Sequence, residues 1–211
     1  MLFFMRIFLA LLLCSILFCC HEPKKDYPVP NKKDINDVVR AVISQQTIVE
    51  RTDSAGRIID KQTGHIRINS LDNLSLSVDL KKVKVVPADQ ESMYGVTINF
   101  LVDPKISSHF NQIDYHYLFF QNDTLSRFKI DTTTITNTFF TSEAKYKKRV
   151  SMGDRIPIYT LSIPVFSLDQ KQAYVLLDIF IGLNNAQGYA FVVKKINGKW
   201  LIVRQWSTWI S

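Results

Sequence analysis

Residues 188–206 read GYAFVVKKINGKWLIVRQW, and the Asn197-Gly198 pair in their midst decides the fold. Asn-Gly between apolar runs is the strongest short-range signal for a two-residue type I′ turn, because both central residues must take positive φ. Two long strands therefore meet here. With that turn, Ile196 pairs with Lys199, Val193 with Ile202, Phe191 with Arg204 and Tyr189 with Trp206. Lys195 lies beside Trp200, within reach of a cation–π contact. The same parity gives Tyr189, Phe191, Trp200 and Trp206 to one face, with Arg204 as its polar anchor. An aromatic patch facing a ligand has that composition. So does a core under a helix, and the sequence leaves both open.

Working outward, AYVLLDIFIGL (residues 173–183) sets Ala173, Val175, Leu177, Ile179, Ile181 and Leu183 on one side at period two. With the hairpin it makes a three-stranded meander. Large apolar residues on both hairpin faces imply a sheet that is curved or covered on both sides. DINDVVRAVISQQ (residues 34–46) is the clearest helix, its stripe formed by Ile35, Val38, Val39, Val42 and Ile43. Asp34 is the expected N-cap, with Asp37 at the acidic position of a capping box. Between helix and meander, HIRIN (65–69), LSLSVDL (74–80), KVKVV (82–86) and VTINFLV (96–102) read as strands. Residues 107–121 lean towards helix through Ile113, Tyr117 and Phe120. The expected fold is α+β, an N-terminal helix on a curved antiparallel sheet that ends in the meander. NTF2-like and cystatin-like domains share such a plan, by analogy of fold alone.

The chain opens MLFFMRIFLALLLCSILFCC, with Arg6 as its first charge and an apolar run of signal-peptide length from Ile7 to Phe18. That run is short for a bilayer span. All three cysteines (Cys14, Cys19, Cys20) lie in this leader, so the exported part has no pair to oxidise. LFCC resembles a bacterial lipobox, with Leu17 three residues before a cut and Cys20 the first mature residue and lipid acceptor. Cys19 is the alternative, and an ordinary secretory signal is the plainer reading. Residues 1–19 are then a lipoprotein signal peptide, and HEPKKDYPVPNKK makes residues 20–33 a Pro/Lys tether. Its lysines stand either as solvated charges or as contacts to anionic headgroups. Residues 34–211 suffice for a single domain with its own core.

Net charge is +7 for the whole chain, and removing the leader takes away only Arg6. At a cell-envelope address this suits an acidic glycan, a lipid or a protein partner, and nucleic acid is not expected. The commoner meaning of such charge is a solvated face.

The chain from residue 163 on, IPVFSLDQKQAYV followed by GYAFVVKKINGKWLIVRQWSTWIS, resembles uncharacterised lipoproteins of Bacteroidota-type bacteria. Their tails run Pro-x-Phe-Ser-x-Asp, an apolar strand, a Gly-containing turn, Gly-Lys-Trp and a terminal Trp-Ile-Ser. The matching positions are Pro164, Phe166, Ser167, Asp169, Gly188, Gly198, Lys199, Trp200, Trp209, Ile210 and Ser211. The resemblance implies an envelope address and a shared fold, and carries no reaction. Members often place cysteines near the turn where Asn184 and Asn185 stand, so a shared staple is not implied.

Reactive constellations are sparse. The seven glycines form neither a phosphate loop nor a Gly-x-Ser-x-Gly elbow. Ser142-Glu-Ala-Lys145 matches Ser-x-x-Lys without the partner motifs such enzymes carry. His109 and His116 are two helical turns apart, too far for one metal, and His65 is an alternate strand position. No metal or cofactor is expected. The leading expectation is a lipid-anchored envelope protein, on the periplasmic side, that binds a ligand or partner without catalysis. The rival is an envelope glycan or cell-wall hydrolase using carboxylates such as Asp114, Asp123 or Asp131, set across a cleft at a glycosidase spacing.

Overall fold

Asn197 and Gly198 take φ of 49° and 78°, and the strands on either side run Ala186–Ile196 and Lys199–Ile210. The type I′ turn thus forms, with Ile196 opposite Lys199, Lys195 opposite Trp200 and Val193 opposite Ile202. The register then departs from simple parity. Val192 pairs with Arg204 and Ala190 with Trp206, because a β-bulge admits Val203 as an extra residue. A second irregularity leaves Tyr189 opposite Ser207 and Gly188 opposite Trp209.

The computed structural model describes residues 26–44, 46–52, 58–65, 75–90, 92, 94–103, 110–135, 139–153, 157–181 and 186–210. The leader with Cys14, Cys19 and Cys20, residues 66–69, His109, Leu183, Asn184 and Asn185 lie outside them. Helices are α1 (Lys32–Ile43), α2 (Ile98–Val102), α3 (Tyr115–Thr124) and α4 (Glu143–Ser151). Strands in chain order are β1 (Gln46–Thr52), β2 (Ile58–His65), β3 (Ser75–Ser77), β4 (Asp79–Leu80), β5 (Lys84–Val86) and β6 (Gly95–Thr97). They continue with β7 (Phe128–Lys129), β8 (Phe139–Thr141), β9 (Pro157–Leu161), β10 (Val165–Phe166), β11 (Gln172–Ile181), β12 (Ala186–Ile196) and β13 (Lys199–Ile210).

The fold is α+β. A nine-stranded sheet runs β2-β1-β13-β12-β11-β9-β3-β8, with β10 paired to β11. It is mixed rather than antiparallel: β1 runs parallel to β13, and β3 runs parallel to both β8 and β9. The meander β11-β12-β13 is antiparallel and lies inside it.

Helix α1 starts before the expected site. Asn31 is the N-cap, its side-chain oxygen accepting from the Asp34 N–H at 2.7 Å, so Asp34 lies inside the first turn. Ile35, Val38, Val39 and Val42 are fully buried against one sheet face, where Val175, Phe191, Val193 and Ile202 meet them. Each such aliphatic contributes about 1.5–3 kcal/mol by leaving water. Tyr27, within the expected tether, packs on Phe120 and Tyr117 at ring separations of 5.2 and 5.6 Å.

The opposite face is covered too. Val83, Val85, Val96, Ile98, Leu101 and Leu118 pack there on Tyr174, Ala190 and Val192. Residues 96–102, read as a strand, turn helical after Thr97, burying Ile98, Leu101 and Val102 at helical spacing. Four apolar residues among five fit either period, and packing decided. Residues 115–124 are helical, but the helix begins later than expected. Ile113 lies in a preceding 3-10 turn at Gln112–Asp114, 71% exposed, and does not share the buried face of Tyr117. Two successive amides of α3 clamp this layer. Gln121 exchanges two 2.8 Å bonds with the backbone of Phe166, and Asn122 bonds the N–H and C=O of Val85 at 2.9 and 2.7 Å.

Candidate functional site

The bulge at Val203 separates the residues expected to share a face. Phe191 and Trp200 are buried beneath α1, with Tyr189 packed beside them. Trp206 instead joins the opposite cluster, its ring 5.4 Å from Phe100 and 6.1 Å from Tyr174. Arg204 follows it, its guanidinium 5.8 Å from the Trp206 ring. Placing Arg204 and Trp206 on the Phe191 face is therefore corrected. Parity fails wherever one strand carries an extra residue.

Beneath α1, Trp200 is part of a polar knot. Its indole N–H donates to Asp34 at 3.2 Å, and Lys195 Nζ donates to the same oxygen at 2.7 Å. Asn31 Nδ2 donates to the other oxygen at 2.8 Å. Burial pushes the Asp34 carboxyl up, yet the bonds from Lys195, Trp200 and Asn31 together hold it below the usual range. Lys195 also lies 5.4 Å from the Trp200 ring centre, the expected cation–π contact. Every partner here is engaged, so the knot fastens helix to hairpin.

Most residues singled out for chemistry carry structural duties. Asp114 is 2% exposed and accepts from the Asn111 and Leu168 N–H groups, each at 2.7 Å. Asp131 accepts from the Thr133 hydroxyl and N–H, which hold its carboxyl below the usual range. Ser142 caps α4 by accepting from the Lys145 N–H at 3.3 Å. His116 and Asp123 are exposed. Among the described residues no group of three or more His, Cys, Asp or Glu is placed to hold a metal. The Phe-Ser-x-Asp stretch is a turn: the Ser167 hydroxyl donates to Asp169 at 2.6 Å and accepts from the Gln172 N–H at 3.0 Å.

A different cluster stands at the end of the second face. Asp178 on β11 lies opposite Gly188 on β12, which lies opposite Trp209 on β13. A Cβ on Gly188 would run into the Trp209 indole nitrogen, so the indole occupies the space a side chain would fill. From there it faces Asp178 and acts to lower the carboxyl's pKa. Lys81 arrives from the other side, its backbone stitched to residues 161 and 163 by bonds of 2.9 and 2.7 Å. Its ammonium is 3.7 Å from Asp178 Oδ2, 3.5 Å from the Tyr94 hydroxyl, and 4.5 and 5.0 Å from the ring centres of Tyr94 and Phe180.

The electrostatics differ from those of the Asp34 knot. Asp178 is 6% exposed, and burial raises its carboxyl above the usual range, with Lys81 and Trp209 only partly opposing. Its partners reach outward: the Lys81 side chain is 31% exposed and Tyr94 38%. Phe180 and Trp209, rings 6.2 Å apart, are half-buried. A buried carboxylate, a loosely held ammonium and exposed ring faces can bind a hydroxyl-bearing group, orient it and stack against it. Of these residues the sequence singled out Trp209 and Gly188 through the resemblance. Alternation marked Asp178 as the one charge in an apolar strand, the signal that was there to be used.

No family model, curated protein or solved structure matches this chain. Among the described residues no helix is long and apolar enough to cross a membrane.

Proposed function

We propose that this protein is a lipid-anchored module of the bacterial cell envelope, on the periplasmic side, that binds a ligand without transforming it. The observation that carries the binding is the buried Asp178 beside a part-exposed Lys81 and Tyr94. Burying a carboxylate costs free energy that close pairing offsets, as at Asp34 with Lys195 at 2.7 Å; at Asp178 the lysine stands off at 3.7 Å. The anchor rests on LFCC, with Cys20 as lipid acceptor and Cys19 as the alternative. A helix laid across one side of a sheet is also the plan of NTF2-like and cystatin-like domains, and that analogy bears on fold only. Acidic glycan, lipid or protein remain partner classes for the basic surface.

Two measurements on the full chain test this. In a bacterial host fed an alkynyl fatty acid, the protein is expected to take up label and sediment with membranes, and Cys20→Ser to lose both. Label persisting in Cys20→Ser moves the anchor to Cys19, and a wild-type chain without label removes it. Incubated with insoluble cell-wall material, the protein is expected to be retained without releasing reducing ends. Release abolished by Asp178→Asn would make it a hydrolase.

A further inference from the structure

We infer that the Lys81–Asp178 corner takes an uncharged saccharide, one hydroxyl of which bridges the ammonium and the carboxylate while its ring stacks on Tyr94. This rests on the proposal that the corner is a ligand site, and names the class of ligand. The 3.7 Å between Lys81 Nζ and Asp178 Oδ2 is longer than a charge-assisted hydrogen bond, at 2.7–2.9 Å. Lys81's approach to the Tyr94 hydroxyl is similarly long, at 3.5 Å. An ammonium has three donors, and these acceptors use them weakly. A hydroxyl both accepts and donates, so it can accept a hydrogen bond from Lys81 and donate one to Asp178, both short. Neither a pure anion nor a pure cation can do so. An anion meets Asp178, and a cation meets Lys81. The Lys81–Asp178 pair carries no net charge, which favours a neutral, dipolar guest over an ion.

The aromatic rings supply the rest of the match. Tyr94 is 38% exposed, an exposure most of its ring-bearing neighbours on this face do not share. The C–H face of a sugar ring covers such a surface, and its hydroxyls project to the edge where Lys81 and Asp178 stand. Gly188 shapes the same corner, since only a residue without a side chain leaves room there for the Trp209 indole.

The test is titration calorimetry on the full chain in detergent, with chitotetraose, maltotetraose and a sulfated heparin tetrasaccharide, for wild type, Tyr94→Ala, Lys81→Met and Asp178→Asn. At least one neutral oligosaccharide is expected to bind, with little dependence on salt. Each variant is expected to weaken it about tenfold or more, the effect of one hydrogen bond to a charged group or one stacking face. Tyr94 is exposed, so its variant keeps the fold, checked by an unchanged melting temperature. Binding of the sulfated probe alone, lost in the same variants, would overturn the uncharged-saccharide inference and leave the corner as a ligand site. Binding that ignores all three variants would overturn both. Failure of every probe to bind would overturn the saccharide class.

Discussion

The indole nitrogen of Trp209 stands where a side chain on Gly188 would be. The two residues are paired across β12 and β13, and Asp178 continues the row on β11. The missing side chain is thus a structural element, the space through which a tryptophan reaches a buried carboxylate.

Gly188→Ala should therefore expel the indole. Overpacking of this kind costs about 1–3 kcal/mol. Chemical denaturation is expected to show that loss, and the near-ultraviolet circular dichroism should change with it. An unaltered spectrum would mean that the indole does not depend on the gap.

Replacing Asp178 should have the opposite sign. Its folded carboxyl lies above the ordinary range, chiefly through burial. The native state therefore keeps its proton longer than the unfolded chain does. Stability from this group is complete below the unfolded value of about 3.9 and is lost as pH rises through the folded one. At pH 7 Asp178→Asn is expected to melt at the wild-type temperature or higher, while ligand binding falls. A sharp loss of stability at pH 7 would make the carboxylate a structural group like Asp34.

Asp34 titrates the other way. Burial raises its carboxyl, but the bonds from Lys195, Trp200 and Asn31 prevail and lower it overall. That stability is present above about pH 3.9 and fades as pH falls through the folded value. Asp34→Asn is expected to cost about 1–3 kcal/mol at pH 7, where Lys195 and Trp200 lose a charged acceptor. The deficit should shrink under acid, as followed by urea denaturation at several pH values. A deficit constant with pH would separate Asp34 from the ionised form.

Two tryptophans on opposite faces give a packing comparison. Trp200 is 4% exposed and hydrogen-bonded, whereas Trp206 is half-buried between Phe100 and Tyr174. Trp200→Ala should cost about 3–5 kcal/mol and Trp206→Ala about half as much. Equal costs would contradict the division of the hairpin by its bulge.

The hairpin and the helix were legible because their signals are local. An Asn-Gly pair admits few turns, and Ile35, Val38, Val39 and Val42 repeat at helical spacing. What the sequence hid is non-local. Val203 is an ordinary strand residue, and nothing in its neighbourhood announces a bulge that sends Arg204 and Trp206 to the other face. The helix start moved to Lys32 because Asn31 caps as well as Asp34, and Asp34 had a tertiary use under Trp200 and Lys195. The Lys81–Asp178 corner joins residues far apart in the chain. Within the chain only its place as the one charge of an apolar strand sets Asp178 apart, and the meander and the isolated bridge between Lys81 and Ser162 bring partners to it.

The most direct measurement is the indole region of a nitrogen–proton correlation spectrum of the full chain, titrated with chitotetraose and maltotetraose. The chain has three tryptophans, and each reports a different place: Trp200 beneath α1, Trp206 in the second layer, Trp209 at Asp178. The Trp209 resonance is expected to move on addition of at least one sugar and to stay fixed in Asp178→Asn, with Trp200 unmoved throughout. A Trp209 signal that ignores both sugars, or a response confined to Trp200, would contradict a ligand site at Lys81 and Asp178.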